Sequence, residues 1–439
     1  MTDSKNRYIA IGLMLFALFF GAGNLIFPAY MGQLSGTNYV PAFFGFCLTG
    51  VGMPLLAILA MGVSGSPSLQ EAAGRVHPAF GVFYSVLVYL SIGPCFAMPR
   101  TGSVAFEIGV LPFLPEGTGS VAEPLFLALF FLVSLWFSVS PGKIVDRIGK
   151  ILTPALVIAI GALVAASFIS PMGEPAAPQA AYGSTARAVV QGALDGYNTL
   201  DAIVAFIFAV LAINFVREEG FDGRSQILGQ IARCGFVAMG LLAVIYFFIT
   251  KIGAESVAAV GVQETGAAVL AKAAFTLGGS AGTAVLSVIV ILACLTTAIG
   301  LITCCAGYFR ELTGRFSYRA WCVIFALCGF AVSTFGLKAI IDAAVPVLMF
   351  AYPIALALII LLFTDRFFES RRLVYAVTVL FTLVPALISG LQTAGVNLGA
   401  LQGTLEQYVP FWTLGIGWVS FTAAGFILGL ILAKLLPAK

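Results

Sequence analysis

The sequence predicts an all-α integral membrane protein with twelve transmembrane helices. Three observations predict it. Sixty per cent of the 439 residues are hydrophobic and only 9% are charged, where a soluble domain carries roughly a quarter charged residues. The apolar residues fall into twelve runs (8–30, 39–63, 79–100, 122–140, 148–169, 194–215, 229–252, 282–308, 318–336, 340–364, 373–392 and 411–435), each near the length of about 20 residues that crosses the hydrocarbon core of a bilayer. The basic residues then sort by side: 17 of the 22 Lys and Arg lie in loops on one face, and only Arg100, Arg187, Lys251, Lys272 and Lys338 lie on the other. Lys and Arg collect on the cytoplasmic side, so both termini are expected there, and an even number of spans follows.

The first run is too long for a signal-peptide core and has no small-residue cleavage site after it, so it reads as a span. No run is interrupted by enough polar sequence to make a soluble domain. Residues 170–193, rich in Pro, Ala and Gly, read as an extracellular connector. Residues 253–281, small and sparsely charged, suit short helices over the outer mouth.

Composition also excludes several classes of function. A net charge of +3 makes no basic surface for nucleic acid. Eight cysteines without a Cys-x-x-Cys pair, and a single histidine, His77, leave neither a redox pair, a haem ligand pair nor a zinc site. No paired acid and base or activated nucleophile is visible within the spans, so an enzyme is not expected. A channel is disfavoured as well, because the spans hold few polar residues to line an open path.

The informative residues are those that break helices. Lipid has no water for free backbone groups, so a non-helical stretch at membrane depth must face protein or a polar cavity. Span 1 carries Gly21, Gly23 and Asn24 near its middle and Pro28 beyond. Glycine and asparagine are poor helix-interior residues, so this reads as an interruption, with a packing notch and a proline kink as the alternative. Span 6 opens Gly196-Tyr197-Asn198-Thr199-Leu200-Asp201. A carboxylate inside a span costs about 3 kcal/mol on insertion scales, so Asp201 either binds a ligand or caps a half-helix. Spans 1 and 6 open two successive sets of five, the mark of an inverted-repeat transporter with its site at the broken helices. The repeats are residues 8–169 and 194–364, and 373–435 adds two spans. Half-helix N-termini suit a carboxylate, which points to the N–H groups of Ala22, Gly23 and Asn24. Carbonyls near Phe20 and Asn198, with Asp201, suit an ammonium.

The segment Gly12–Gly36 (GLMLFALFFGAGNLIFPAYMGQLSG), with Ile92–Gly102 and Gly196–Asp201, resembles the bacterial branched-chain amino acid:cation symporters of the BrnQ type. The resemblance covers essentially the whole chain. It implies import of leucine, isoleucine or valine with a cation, Na+ foremost, across the bacterial inner membrane. An alternative is H+ coupling through Asp201. More distantly the chain is similar to the leucine-transporter and neurotransmitter:sodium symporter fold. That likeness places Na+ on the carbonyls of Ala17, Phe20 and Ala293 and the hydroxyls of Thr296 and Thr297. At 1.5 Å per residue Phe20 lies about 18 Å and Thr297 about 22 Å into their spans from opposite faces, so the two can meet. Oxygen ligands of this kind suit a hard cation. Back-bonding to the previous turn is the alternative role of the two threonines. The distant fold has an arginine before its Phe-Pro, where this chain has Ile26. Arg100 and Asp342 are candidates to replace that gate, although an arginine at a span end also serves as a lipid anchor.

Overall fold

The computed structural model describes residues 2–139, 153–218, 220–221 and 223–436. Lys143, Arg147 and Lys150, with the adjoining ends of the fourth and fifth expected spans, lie outside the described residues. The first expected span is two helices, α1 (Thr2–Phe19) and α2 (Ala22–Ser35). Gly21 caps α2 in an extended conformation (φ −124°, ψ −164°). α3 (Tyr39–Cys47) runs through a π turn at Leu48–Gly52 into α4 (Met53–Ser64), and the short α5 (Leu69–Gly74) follows. α6 (Pro78–Leu90) reaches α7 (Ala97–Gly109) through a second π turn, Ser91–Cys95, where Gly93 is non-helical (φ −83°, ψ −121°) and Pro94 interrupts the hydrogen-bond ladder.

α8 (Gly119–Ser138) and α9 (Thr153–Ile169) precede α10 (Thr185–Asp195). α10 passes through a 3-10 turn, Gly196–Thr199, and through Leu200 at φ 68° into α11 (Asp201–Glu218), with a 49° bend between the two arms. α12 (Arg224–Val260) and α13 (Gly266–Thr313) are long, and α13 is kinked at Gly279 (φ 54°). α14 (Tyr318–Ser333), α15 (Leu337–Thr364), α16 (Arg372–Thr393), α17 (Ala400–Tyr408) and α18 (Trp418–Leu435) complete the chain.

Among the described residues eight helices are long and apolar enough to cross a membrane, and nine if the bent pair α10–α11 counts as one. Three further expected spans fall on shorter apolar helices: Tyr8–Phe19, Ile160–Ile169 and Tyr318–Ser333.

Two expectations need correction. Residues 170–193 are not wholly a connector, because α10 begins at Thr185, capped by Ser184, whose hydroxyl accepts the Arg187 N–H at 3.3 Å. α10 alternates Arg187, Gln191 and Asp195 with buried Ala188, Gly192 and Leu194, so an average over hydropathy hides it although one face is apolar. The third span does not end at residue 100 either. α7 continues to Gly109, and Arg100 sits inside it, 5% exposed. Lipid anchoring is thereby excluded.

The packing pairs each interrupted helix with one partner. α1 and α2 both lie along α12, while α10 lies along α3 and α11 along α4. The contact is backbone against backbone. A Cβ on Gly45 of α3 would stand 1.8 Å from the Val189 carbonyl oxygen, and one on Gly192 of α10 2.0 Å from that of Ala42. Small residues let helices approach this closely where no hydrophobic drive separates protein from lipid. Gly45→Ala and Gly192→Ala are therefore expected to lower the thermal midpoint of the detergent-purified protein, each costing about 1–3 kcal/mol by overpacking. Gly240→Ala, in α12 with nothing within 4 Å of the added carbon, should not lower it.

Candidate functional site

The two helix interruptions meet in the interior. The Asn24 side chain, in the first turn of α2, turns back so that its Oδ1 accepts the Gly21 N–H at 3.1 Å. That N–H would otherwise have bonded the Ala17 carbonyl one turn earlier, so the end of α1 is released. The Asn24 Nδ2 donates to Asp201 Oδ2 at 2.6 Å and also to the Tyr246 hydroxyl of α12. The Tyr246 hydroxyl in turn donates to Asp201 Oδ2 at 2.9 Å. One amide thus ties α2, α11 and α12 together. Both Asn24 and Asp201 are only 2% exposed, and a buried polar group of this kind persists only when it is satisfied.

Asp201 opens α11, where its backbone N–H donates to Thr199 Oγ1 at 3.3 Å and the Thr199 hydroxyl donates to the Gly196 carbonyl at 2.9 Å. Leu200, with a left-handed backbone at a β-carbon-bearing residue, carries the turn at a cost of about 1–2 kcal/mol. Its carbonyl accepts the N–H groups of Ile203 and Val204. The polar groups of this break are therefore mostly consumed by the fold.

The break in span 1 is different. The N–H groups of Ala22, Gly23 and Asn24, the first of α2, have no helical partner, and they carry the positive end of the helix dipole. A cavity lies against them, bounded by Gly21, Gly23, Asn24, Arg100, Asp201 and Thr297. Ile92, Val204, Phe208 and Leu301 form its apolar wall. Of the sequence-predicted residues, Ala22, Gly23, Asn24, Asp201 and Thr297 share this cavity. Asn198 does not line it. Its carbonyl accepts Arg100 Nη1 at 2.7 Å, and it borders a second cavity with Phe27, Asp195, Lys338 and Asp342.

The predicted cation ligands divide. Ala17 and Phe20 are buried at the end of α1. Thr297 Oγ1 is buried without a hydrogen-bond partner among the described residues and faces Gly21, where a β-carbon would stand 2.8 Å away. Thr296, by contrast, donates to the Ala293 carbonyl at 2.9 Å, the back-bonding alternative. An orphaned buried hydroxyl beside released helix-end carbonyls fits a hard cation. Among the described residues no group of His, Cys, Asp and Glu side chains converges on a softer metal site.

Arg100 and Asp342 do not form the gate that the sequence suggested. Asp342 pairs with Lys338 at 3.8 Å in an exposed position, while Arg100 turns inward to Asn198. Sequence reading missed two residues of the site. Arg100 carried a signal, since apolar Val104, Ala105, Phe106 and Ile108 continue beyond it. Tyr246 carried none, being one aromatic residue among many in an apolar run.

A model of the branched-chain amino acid transport protein family matches residues 4–436. The branched-chain amino acid permease BrnQ of Bacillus subtilis (strain 168) is 43% identical over 430 residues, covering 98% of this chain and 97% of that protein. The permease BraB of the same organism is 40% identical over 432 residues, covering 98% and 96%. BrnQ of Lactobacillus delbrueckii subsp. lactis is 37% identical, covering 94% and 93%. Among solved structures, Mhp1, a nucleobase-cation-symport-1 family transporter in a closed conformation with bromovinylhydantoin bound, matches with a TM-score of 0.62 at 14% identity, over 98% of this chain and 93% of that one. MhsT in complex with L-phenylalanine matches with a TM-score of 0.59 at 14% identity, over 97% and 98%. At such identity the likeness shows a shared fold, the leucine-transporter-like class expected from the sequence.

The Asn24–Asp201–Tyr246 triangle makes a thermodynamic claim of its own. Tyr246→Phe removes a donor to Asp201 and leaves one Asn24 hydrogen unpaired, which is expected to cost about 1–3 kcal/mol of stability. Combined with Asp201→Asn, the losses should not add, departing from the sum by more than about 0.5 kcal/mol in a double-mutant cycle read by thermal unfolding. Strict additivity would dissolve the triangle.

Proposed function

The chain belongs to the branched-chain amino acid transport protein family, and from that premise we propose that it carries leucine, isoleucine or valine inward with Na+ by alternating access. A single observation carries the reading. One internal cavity holds the free N–H end of α2, the carboxylate of Asp201 and the unpartnered hydroxyl of Thr297. The substrate carboxylate meets the Ala22, Gly23 and Asn24 N–H groups. Its ammonium meets the Phe20 carbonyl and Asp201, and the branched side chain lies against Ile92, Val204, Phe208 and Leu301. Na+, as co-substrate, takes the Ala17, Phe20 and Ala293 carbonyls and the hydroxyls of Thr297 and Thr296.

The proposal includes twelve spans, both termini in the cytoplasm and placement in the bacterial inner membrane, with residues 8–169 and 194–364 as inverted repeats. Exchange of partners supports the repeat: the broken helix of the first half packs on α12, and that of the second half packs on α3 and α4. A two-fold relation between halves produces that crossing. In this reading the second interrupted span starts at Thr185, with α10 as its first arm, which the 49° bend between α10 and α11 supports.

H+ coupling is the second reading, and it rests on the Asp201 carboxylate being hydrogen-bonded by the neutral groups Asn24 and Tyr246. Leucine uptake into proteoliposomes under separately imposed Na+ and H+ gradients tests both readings. Accumulation driven by Na+ alone is expected, and accumulation driven only by H+ would replace Na+ by the second reading. Thr297→Ala should raise the Na+ concentration for half-maximal uptake about 5- to 30-fold, as the loss of one ligating hydroxyl worth about 1–2 kcal/mol requires. Thr296→Ala should have a smaller effect, since its hydroxyl is already engaged. Asp201→Asn keeps the volume and the capping ability of the residue but removes its charge, so gradient-driven uptake should collapse. Near-normal uptake by that variant would make Asp201 a cap.

A further inference from the structure

Arg100 is a buried guanidinium with an incomplete set of partners. α7 starts beyond the Gly93–Pro94 break, and that bend delivers residue 100 to the cavity. Its Nη1 donates to the Asn198 carbonyl at 2.7 Å, and its central carbon lies over the Phe27 ring, 5.0 Å from the centroid. Its Nη2 stands 2.6 Å from where a β-carbon on Gly23 would be, so only a glycine lets it reach the α2 N-terminus. Its Nε is buried and unpaired. Arg100 forms no ion pair among the described residues.

Two positive ends therefore face each other across one small space, the guanidinium of Arg100 and the free N–H groups of α2. Asp201, across the same cavity, attracts the guanidinium from beyond ion-pair distance; a buried charge with no ion-pair partner is still costly, and a helix N-terminus beside it adds to that cost. Both terms change sign when an anion sits between them. A planar carboxylate matches the guanidinium fork in a way that a point charge does not.

We propose that Arg100 is a ligand of the substrate's α-carboxylate, binding it from α7 while α2 binds it from the other side, and that this arginine makes the site require a carboxylate. The proposal rests on the amino-acid carrier reading above. The Asn198 carbonyl and the Phe27 ring hold the guanidinium in place. Bound substrate bridges α7 and α2, two elements that otherwise meet there across like charge. Substrate binding is thus coupled to the approach of these two helices.

The test compares leucine with leucinol, which keeps the side chain and the ammonium but lacks the carboxylate. Binding of each is measured by calorimetry and by ligand-induced thermal stabilisation on the purified full-length protein in Na+. Wild type should favour leucine strongly. In Arg100→Gln, leucine affinity should fall by at least about 30-fold, the low end for removing one partner of a buried charge pair, while leucinol affinity changes by less than about 3-fold. The preference for the carboxylate then collapses. Arg100→Lys keeps the charge as a single point, should fall between the two, and supplies the same comparison if the glutamine variant is not monodisperse.

Unchanged leucine affinity, or equal losses for leucine and leucinol, would overturn the proposal and leave Arg100 a tether to Asn198. If wild type bound none of leucine, isoleucine and valine, the carrier reading would fail instead, and the proposal with it.

Discussion

The hydrogen bond from Asn24 to Asp201 is the constraint on which the rest of the architecture hangs. Each helix interruption strands backbone groups in an interior without water, and each stranded group must find a partner or cost several kcal/mol. The Asn24 amide meets this demand at the first break, closing the cap of α2 with its oxygen, and ties that break to the second by donating its nitrogen to the Asp201 carboxylate. The breaks therefore stay side by side. A site of polar groups in an apolar bundle exists only because two weak points in the helices support each other.

What the two breaks keep free differs, and the difference divides their work. Around Leu200 the backbone and the Thr199 hydroxyl are used locally, so this break is a rigid corner. Around Gly21 the carbonyl end of α1 and the N–H end of α2 are both left facing the cavity, beside Thr297 and Arg100. The first corner holds shape and the second offers ligands. Glycine seams reinforce the division, because α3 and α10 pack backbone against backbone, while the cavity is bounded by the polar groups of Asn24, Arg100, Asp201 and Thr297.

Hydropathy misplaced two elements for one reason. A window average treats a charged residue as the end of a span, which closes the third span at Arg100, and it treats a polar face as loop, which hides the start of α10 in a connector. Arg100 is buried against protein instead of exposed to water, and in α10 the polar residues share one helix with buried Ala188, Gly192 and Leu194. From the sequence, Gly21, Gly23, Asn24 and Asp201 stood out because poor helix formers and a carboxylate inside an apolar run demand an explanation. Tyr246 did not, since an aromatic residue in a span needs none.

The sequence by itself determined the helical class, the bilayer as its solvent, the positions of both interruptions and the family to which the chain is similar. These follow from local quantities: the apolar length needed to cross lipid, the helix propensity of glycine and asparagine, and the sorting of basic residues. Only the tertiary structure decided that Asn24 reaches Asp201 across 177 positions, that Thr297 rather than Thr296 is left without a partner, and that Arg100 faces the α2 N-terminus. Those outcomes depend on the rotation of each helix about its own axis. That rotation is set by backbone-to-backbone packing among distant segments, and no local property of the chain encodes it.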